Sequence, residues 1–108
     1  ALLADEMVKA PAVILAYSMA SAVAAASTFP GVQNLLLAAR ALGIGSVLTT
    51  LHPEVMDRVN EMLGVPDDMV FHCCIPLGYP RGKFGPTSRL PTSETTYWGR
   101  WNAAPPWK

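Results

Sequence analysis

The distribution of charge divides the chain into an apolar first part and a mixed remainder. No Asp, Glu, Lys or Arg occurs from position 10 to position 39. Within this part "PAVILAYS" (11–18) is a short apolar run after a proline, a pattern typical of a buried strand. The following "MASAVAAAST" (19–28) consists of small residues with little periodicity, and predicts either a loose connection or a helical turn.

A long helix is predicted next. Thr28 suits the N-cap position and Pro30 falls in the first turn, as expected at a helix start. The helix runs to about Leu42, and Gly43 ends it. Apolar residues at three- and four-residue spacing form one face, and others extend around the cylinder: Val32, Leu35, Leu36, Ala39 and Leu42, then Leu37, Ala38 and Ala41. A helix that is apolar nearly all round is buried on several sides, so we expect another subunit to cover part of it.

Three further elements follow. "GSVLTT" (45–50) predicts a strand, and "MVFHCCIPL" (69–77) predicts a buried one. Between them a helix is predicted from Pro53 to Leu63, with proline at its start and Gly64 as its stop. Four apolar residues predict its buried stripe: Val55, Val59, Met62 and Leu63.

The composition changes at Gly78. The segment 78–94 carries three glycines and three prolines and is predicted to be an extended loop. The tail from 95 to 108 contains all three tryptophans, and large aromatic residues near a terminus usually anchor it on another surface. We therefore divide the single domain 1–108 into a strand–helix–strand–helix–strand core at 11–80 and a loop with an aromatic tail at 81–108.

Composition excludes several classes of protein. The 108 residues suffice for one small domain, and an apolar share of 51% permits a packed core. Eight basic residues balance eight acidic ones, which disfavours a nucleic-acid partner because phosphate binding needs a concentrated positive surface. The uncharged stretch raises the alternative of a membrane span. Serine and threonine dilute that stretch and Pro30 and Gly31 interrupt it, so we expect no membrane association.

The residues that usually carry chemistry are sparse. Cys73 and Cys74 are adjacent in an apolar run, which indicates buried free thiols in a reducing cytoplasm. With only two histidines they do not resemble a zinc site, so no metal is expected. His52 is expected to cap the second helix or to lie exposed, and His72 to be a hydrogen-bonded core or interface residue. We assign no catalytic side chain.

Three segments, taken in order and spacing, resemble a known family. They are "FPGVQNLLLAARALGIGSVLTTLH", "LGVPDD" and "IPLGYPRGKFGPTSRLP". Together they resemble the C-terminal half of FMN-dependent nitroreductase-family proteins, over about residues 11–101. The resemblance implies an α+β sandwich, with a mostly antiparallel sheet and flanking helices, built as an intertwined homodimer with FMN at the interface. The chain would represent half of that fold, completed by oligomerisation or by a second chain.

The resemblance also implies a set of cofactor contacts. Thr49, Thr50 and Leu51 match the segment whose backbone approaches the reactive edge of the flavin ring, where N–H donors stabilise negative charge. Arg89 in "TSRLP" matches a basic residue that holds the FMN phosphate. Some relatives carry a further lysine where this chain has Thr87, and Arg81 or Lys83 are candidates to compensate.

The implied function is an FMN-dependent oxidoreductase. NAD(P)H would donate a hydride, and a nitroaromatic, quinone or similar small acceptor would be reduced in a second step. The family's main phosphate-binding motif lies in the half that does not match this chain, so whether the chain is an enzyme by itself stays open. The alternative is a non-catalytic protein of the same fold that binds or sequesters flavin, or only assembles with a partner.

Overall fold

The computed structural model describes residues 7–107, in which a three-stranded antiparallel sheet lies between two helices. The elements are β1 (Ala12–Met19), α1 (Ala24–Ala41), β2 (Gly45–Ser46), α2 (Pro53–Leu63) and β3 (Met69–Gly78), with short 3-10 helices at Met7–Lys9 and Thr92–Glu94. The strand order is β1-β3-β2. This arrangement confirms the predicted α+β class. No helix within residues 7–107 combines the length and apolarity needed to cross a membrane.

The last strand in sequence is the central strand of the sheet. β3 pairs with β1 from Ala12–Leu77 to Met19–Met69, and with β2 at Gly45–Gly78 and Ser46–Leu77. Its segment 73–76 is buried throughout. A strand with neighbours on both edges and cover on both faces needs a continuous apolar run, and "CCIP" provides it.

One helix and one face of the sheet form the main core. Val32 of α1 packs with Cys73 and Ile75 of β3, and the latter two are 0% exposed. Six partly buried residues complete this cluster: Ile14, Ala16, Phe29, Leu35, Leu36 and Leu77. Four of the five residues predicted for the helix face therefore point inward, since Ala39 is also buried. Leu42 is 75% exposed because it lies at the C-cap, after the last helical residue.

α1 begins earlier than predicted, at Ala24. Val23 is its N-cap and makes no side-chain capping bond, while Pro30 lies inside the helix. The alanines at 24–26 favour helix more strongly than any other residue, and Ala24 is buried. The helix therefore extends ahead of Thr28, and the predicted cap at Thr28 is wrong.

Both helices end at glycines as predicted. Gly43 and Gly64 have φ angles of 75° and 70°, a region that glycine adopts without steric cost. The Ile44 N–H donates to the Ala39 carbonyl at 2.9 Å, and the Val65 N–H donates to the Asn60 carbonyl at 2.9 Å. The Gly43 N–H also donates to the Arg40 carbonyl at 3.1 Å, and the Gly64 N–H to the Glu61 carbonyl at 3.3 Å. The two bonds at each helix end define a Schellman motif.

α2 lies on the opposite face of the sheet. The Tyr17 hydroxyl donates to Asn60 Oδ1 at 2.6 Å, and Met56 is buried. The predicted stripe is largely wrong: Val55, Met62 and Leu63 are exposed and Val59 is half-buried. The face that turns toward the sheet carries Met56 and Asn60, one helical turn apart. A tyrosine-to-amide hydrogen bond, which hydropathy does not register, sets this orientation.

β2 is shorter than the predicted strand 45–50. It covers Gly45–Ser46, and the same register resumes as an isolated bridge between Thr49 and Cys74. Continuing this register places Val47 opposite Pro76 of β3. Proline has no N–H to donate, so the ladder is interrupted there and Val47 is 42% exposed.

A β-bulge in β3 redirects one histidine. Ala16 pairs with Cys73 but Tyr17 pairs with Phe71, so His72 is the extra residue. His72 Nε2 lies 2.7 Å from Ser18 Oγ, and its ring meets Phe29 of α1 edge-on at 5.7 Å. This confirms the expected hydrogen-bonded histidine.

Substituting Ile75 tests the core. Ile75→Ala should lower the free energy of unfolding by about 2–5 kcal/mol, because it leaves a cavity between α1 and β3. Urea unfolding followed by far-UV circular dichroism measures the loss. Met62→Ala, at a position 81% exposed, is the matched control and should change stability by less than about 0.5 kcal/mol. Equal effects of the two substitutions would contradict the assigned core.

Candidate functional site

The segment predicted to face a flavin ring follows β2 directly. The Thr49 N–H donates to the Cys74 carbonyl at 2.8 Å, and the Cys74 N–H donates to the Thr49 carbonyl at 2.7 Å. Both backbone groups of Thr49 are therefore committed to the sheet. This pairing fixes the position at which the chain leaves β3.

The next two residues keep their backbone donors available. Within residues 7–107, neither the Thr50 N–H nor the Leu51 N–H donates to another protein group. Thr50 is exposed and Leu51 is half-buried. Backbone donors near the surface that no protein acceptor uses are available to water or to a ligand.

The segment also approaches the start of α2. His52 is the N-cap of that helix, and its Nδ1 accepts from the Glu54 N–H at 3.4 Å, which confirms the predicted capping role. The N-terminal end of a helix carries a partial positive charge. Leu51 lies one residue before this cap, so the electrostatic field around its N–H favours negative charge.

Arg89 lies in the exposed loop after β3. Its Nη1 donates to the carbonyl of the adjacent Ser88 at 3.4 Å, and the residue is exposed. Among the described residues, no hydrogen bond joins Arg89 to the segment 49–51. The structure thus leaves the guanidinium accessible but does not bring it into contact with the backbone donors.

Two contacts join this loop to the body of the domain. A Cβ on Gly45 would lie 3.2 Å from the Gly78 carbonyl and 3.7 Å from Pro80, so the loop starts directly against β2. Farther along, the Arg40 guanidinium carbon lies 3.8 Å from the centre of the Phe84 ring. Sequence reasoning missed this second contact; its only signal was a phenylalanine within a loop rich in glycine and proline.

A groove that the sequence did not predict lies beside β2. It encloses about 760 Å³ between the first 3-10 helix and the ends of β2 and β3. Ser46, Val47 and Leu77 form part of it, and Lys9 and Arg81 contribute positive charge. Both cations interact with other groups of the protein. None of the four predicted flavin-contact residues lines this groove.

The cysteines are free and buried, as predicted. Burial raises the pKa of the Cys73 thiol, and burial together with the neighbouring Cys73 raises the pKa of the Cys74 thiol. A reactive cysteine needs the opposite shift, because the thiolate is the nucleophile. These thiols therefore serve packing.

The fold defines the structural class of the protein, and comparison with known proteins then identifies its family. The sheet with a helix on each face defines an α+β sandwich, and the backbone donors at 50–51 lie at its edge. The profile of the nitroreductase family matches residues 1–79. The chain belongs to the nitroreductase family.

Two archaeal relatives share part of the sequence. A protein of Archaeoglobus fulgidus named "Putative NADH dehydrogenase/NAD(P)H nitroreductase" is 47% identical over 51 residues, which are 45% of this chain and 29% of that protein. A protein of Methanothermobacter thermautotrophicus with the same name is 38% identical over 50 residues, 44% of this chain and 26% of that one. The match thus spans less than a third of either relative.

Solved structures share the fold. Crystal structures of proteins with that same name superpose with TM-scores of 0.74 (Bacteroides thetaiotaomicron, 26% identity) and 0.75 (Parabacteroides distasonis, 25% identity). They cover 85% and 90% of this chain, and 56% and 66% of those chains. An iodotyrosine deiodinase bound to FMN and 3-iodo-L-tyrosine gives a TM-score of 0.64 at 25% identity, over 91% of this chain and 50% of that one.

The buried thiols predict a loss of stability at alkaline pH. Their folded pKa values lie above the ordinary 9.0, so unfolding releases protons at high pH and stability falls as pH rises past 9.0. Burial raises the pKa of Tyr17 as well, with the same sign but from an ordinary value of 10.0. Urea midpoints at pH 7.5, 8.5 and 9.5 should decline for the wild type.

A paired variant isolates the thiol contribution. Cys73→Ala with Cys74→Ala should be less stable at pH 7.5 because it loses packing, but its midpoint should fall less between pH 8.5 and 9.5. Parallel declines in the two proteins would show that the thiols are not the titrating groups.

Proposed function

We propose that this chain forms part of an FMN-dependent oxidoreductase that uses NAD(P)H to reduce a nitroaromatic, a quinone or a similar small acceptor. The observation that carries the proposal is the pair of available backbone donors at Thr50 and Leu51. They lie in the segment that the family resemblance assigns to the flavin ring, and an FMN-bound protein is among the structural neighbours.

The residues present fit the reactive edge of a flavin. The Thr50 and Leu51 N–H groups would donate to that edge, and the positive end of α2 would stabilise negative charge there. Thr49 contributes by holding the segment on β3, since its own N–H is used. FMN, when bound, supplies hydride transfer. The protein's part is to hold donors in place, which agrees with the lack of an activated thiol.

Arg89 is proposed to hold the phosphate of FMN. Its planar guanidinium matches two phosphate oxygens at once, and the side chain is accessible at the surface. Thr87, where some relatives carry lysine, adds no charge. Arg81, a candidate to compensate, lines the groove beside β2 instead.

We further propose that a second copy of the chain, or a chain that supplies the remaining half of the fold, completes the site. α1 leaves apolar side chains uncovered on its outer side, with Leu37 58% exposed. The aromatic tail packs mainly on itself: Tyr97 meets Trp101 at 4.6 Å and Trp98 meets Trp107 at 5.5 Å. The radius of gyration is 17.8 Å, against about 13 Å for a compact domain of this size. Uncovered apolar surface and an extended shape support association.

The visible absorption spectrum of the chain, purified without added flavin, tests the proposal. A bound-flavin spectrum that NAD(P)H bleaches supports the oxidoreductase. A flavin spectrum that NAD(P)H leaves unchanged favours the non-catalytic flavin-binding alternative. A colourless protein that takes up no added FMN sinks the proposal for this chain alone.

Removing the Arg89 charge tests the phosphate contact. Arg89→Gln should weaken FMN binding by about 10- to 100-fold, the effect of losing hydrogen bonds to a charged group. Riboflavin, which lacks the phosphate, should bind both proteins equally. Fluorescence titration measures both affinities, and Arg58→Gln on α2 is the matched arginine control. Equal losses for FMN and riboflavin would assign Arg89 a structural role instead.

The association state tests the second copy. Sedimentation equilibrium of the wild type should give twice the chain mass, because a dimer would cover Leu37, which is 58% exposed on α1. Leu37→Glu should shift the protein to the monomer by placing a charge in that interface. Met62→Glu, exposed on the opposite side of the sheet, is the control. A wild-type monomer at all concentrations would contradict a homodimer.

A further inference from the structure

The loop between β3 and the second 3-10 helix has no regular structure. Residues 79–91 form neither helix nor strand, and all of them are exposed. Loops of this length without secondary structure are uncommon in small domains unless they have a function or are disordered. Arg89 lies near the end of this loop, so its position depends on what ties the loop down.

Phe84, near the middle of the loop, contacts α1. The Arg40 guanidinium carbon lies 3.8 Å from the centre of the Phe84 ring, a short distance for a cation on an aromatic face. Phe84 is 37% exposed, less than Tyr79 at 82% or Leu90 at 67% in the same loop. No carboxylate in the described part of the chain pairs with Arg40, so the Phe84 ring is not in competition with an ion pair for its guanidinium.

Arg40 belongs to the hydrogen-bonded end of α1. It lies in the last turn of α1, and its carbonyl accepts from the Gly43 N–H at 3.1 Å in the ending of that helix. From this ending the chain passes through β2 to Thr49, which is paired with Cys74. The same structural unit therefore carries Arg40 and the donors at 50–51.

We propose that Arg40 and Phe84 are positioning residues, which hold the loop 79–91 against the end of α1 and so fix Arg89 relative to Thr50 and Leu51. This inference rests on the proposed flavin site for its functional consequence. Of the two contacts that join the loop to the body of the domain, this one lies nearer to Arg89 along the chain. Without it, Arg89 would retain its charge but lose its fixed distance from the backbone donors.

Limited proteolysis tests the tether independently of flavin. Trypsin cleaves after Arg81, Lys83 and Arg89, all within the loop. Phe84→Ala and Arg40→Gln should each increase the rate of cleavage after Arg89 by about two- to fivefold, the population shift expected from losing one exposed cation–π contact. Phe84→Trp should keep the wild-type rate of cleavage, because an indole ring makes a cation–π contact at least as strong as that of a phenyl ring. Two controls are matched to these variants: Tyr79→Ala removes an exposed aromatic residue at the start of the same loop, and Arg58→Gln removes an exposed arginine on α2.

Binding of two flavins tests the positioning role. Phe84→Ala and Arg40→Gln should weaken FMN by about two- to fivefold and leave riboflavin unchanged, because only FMN carries the group that Arg89 holds. The double variant should bind FMN no more weakly than either single variant, because both substitutions remove the same contact. Phe84→Trp should bind FMN with the wild-type affinity.

Each outcome separates the two proposals. Unchanged proteolysis in both single variants overturns the tether, whatever flavin does. Faster proteolysis with equal losses for FMN and riboflavin overturns the positioning of Arg89 and leaves a structural contact. If the wild type binds neither flavin, the proposed function fails for this chain, and the proteolysis result alone decides whether Arg40 and Phe84 restrain the loop.

Discussion

The structure depends on the burial of the middle of β3. Cys73 and Ile75 are completely buried in the cluster that α1 forms with the sheet, and Cys74 is buried while its backbone holds Thr49. The hydrogen-bonding groups of a central strand are satisfied on both edges only if two other segments pair with it. In this chain the two segments are β1 and residues 45–49. The position of the candidate flavin donors therefore follows from the same strand that supplies the core.

Pro76 links this core to the candidate site. Its missing N–H falls on the edge that faces β2, which interrupts the ladder between Ser46 and Thr49. The chain rejoins β3 at Thr49 and leaves again at once, so the next two N–H groups have no partner in the sheet.

Two kinds of interaction then divide the work around the site. Hydrophobic burial fixes β3, α1 and the start of the segment 49–51, whereas single polar contacts orient the parts outside the core. The Tyr17–Asn60 bond turns α2, the His72 bulge joins β1 to β3 at Ser18, and Arg40 on Phe84 restrains the loop. Such contacts are individually weak, and two of the segments that they orient, α2 and the loop 79–91, belong to the proposed flavin site.

The sequence by itself determined the α+β class, the three strands, both helix ends at Gly43 and Gly64, and the buried thiols, because apolar runs and glycine stops are local signals. Through the family resemblance it also led to the proposal that the segment 49–51 and Arg89 contact the flavin. Only the tertiary structure decided that α2 turns Met56 inward, that Thr49 is used by the sheet, and that Phe84 meets Arg40. These features depend on partners distant in sequence, and the periodicity of one segment carries no information about them.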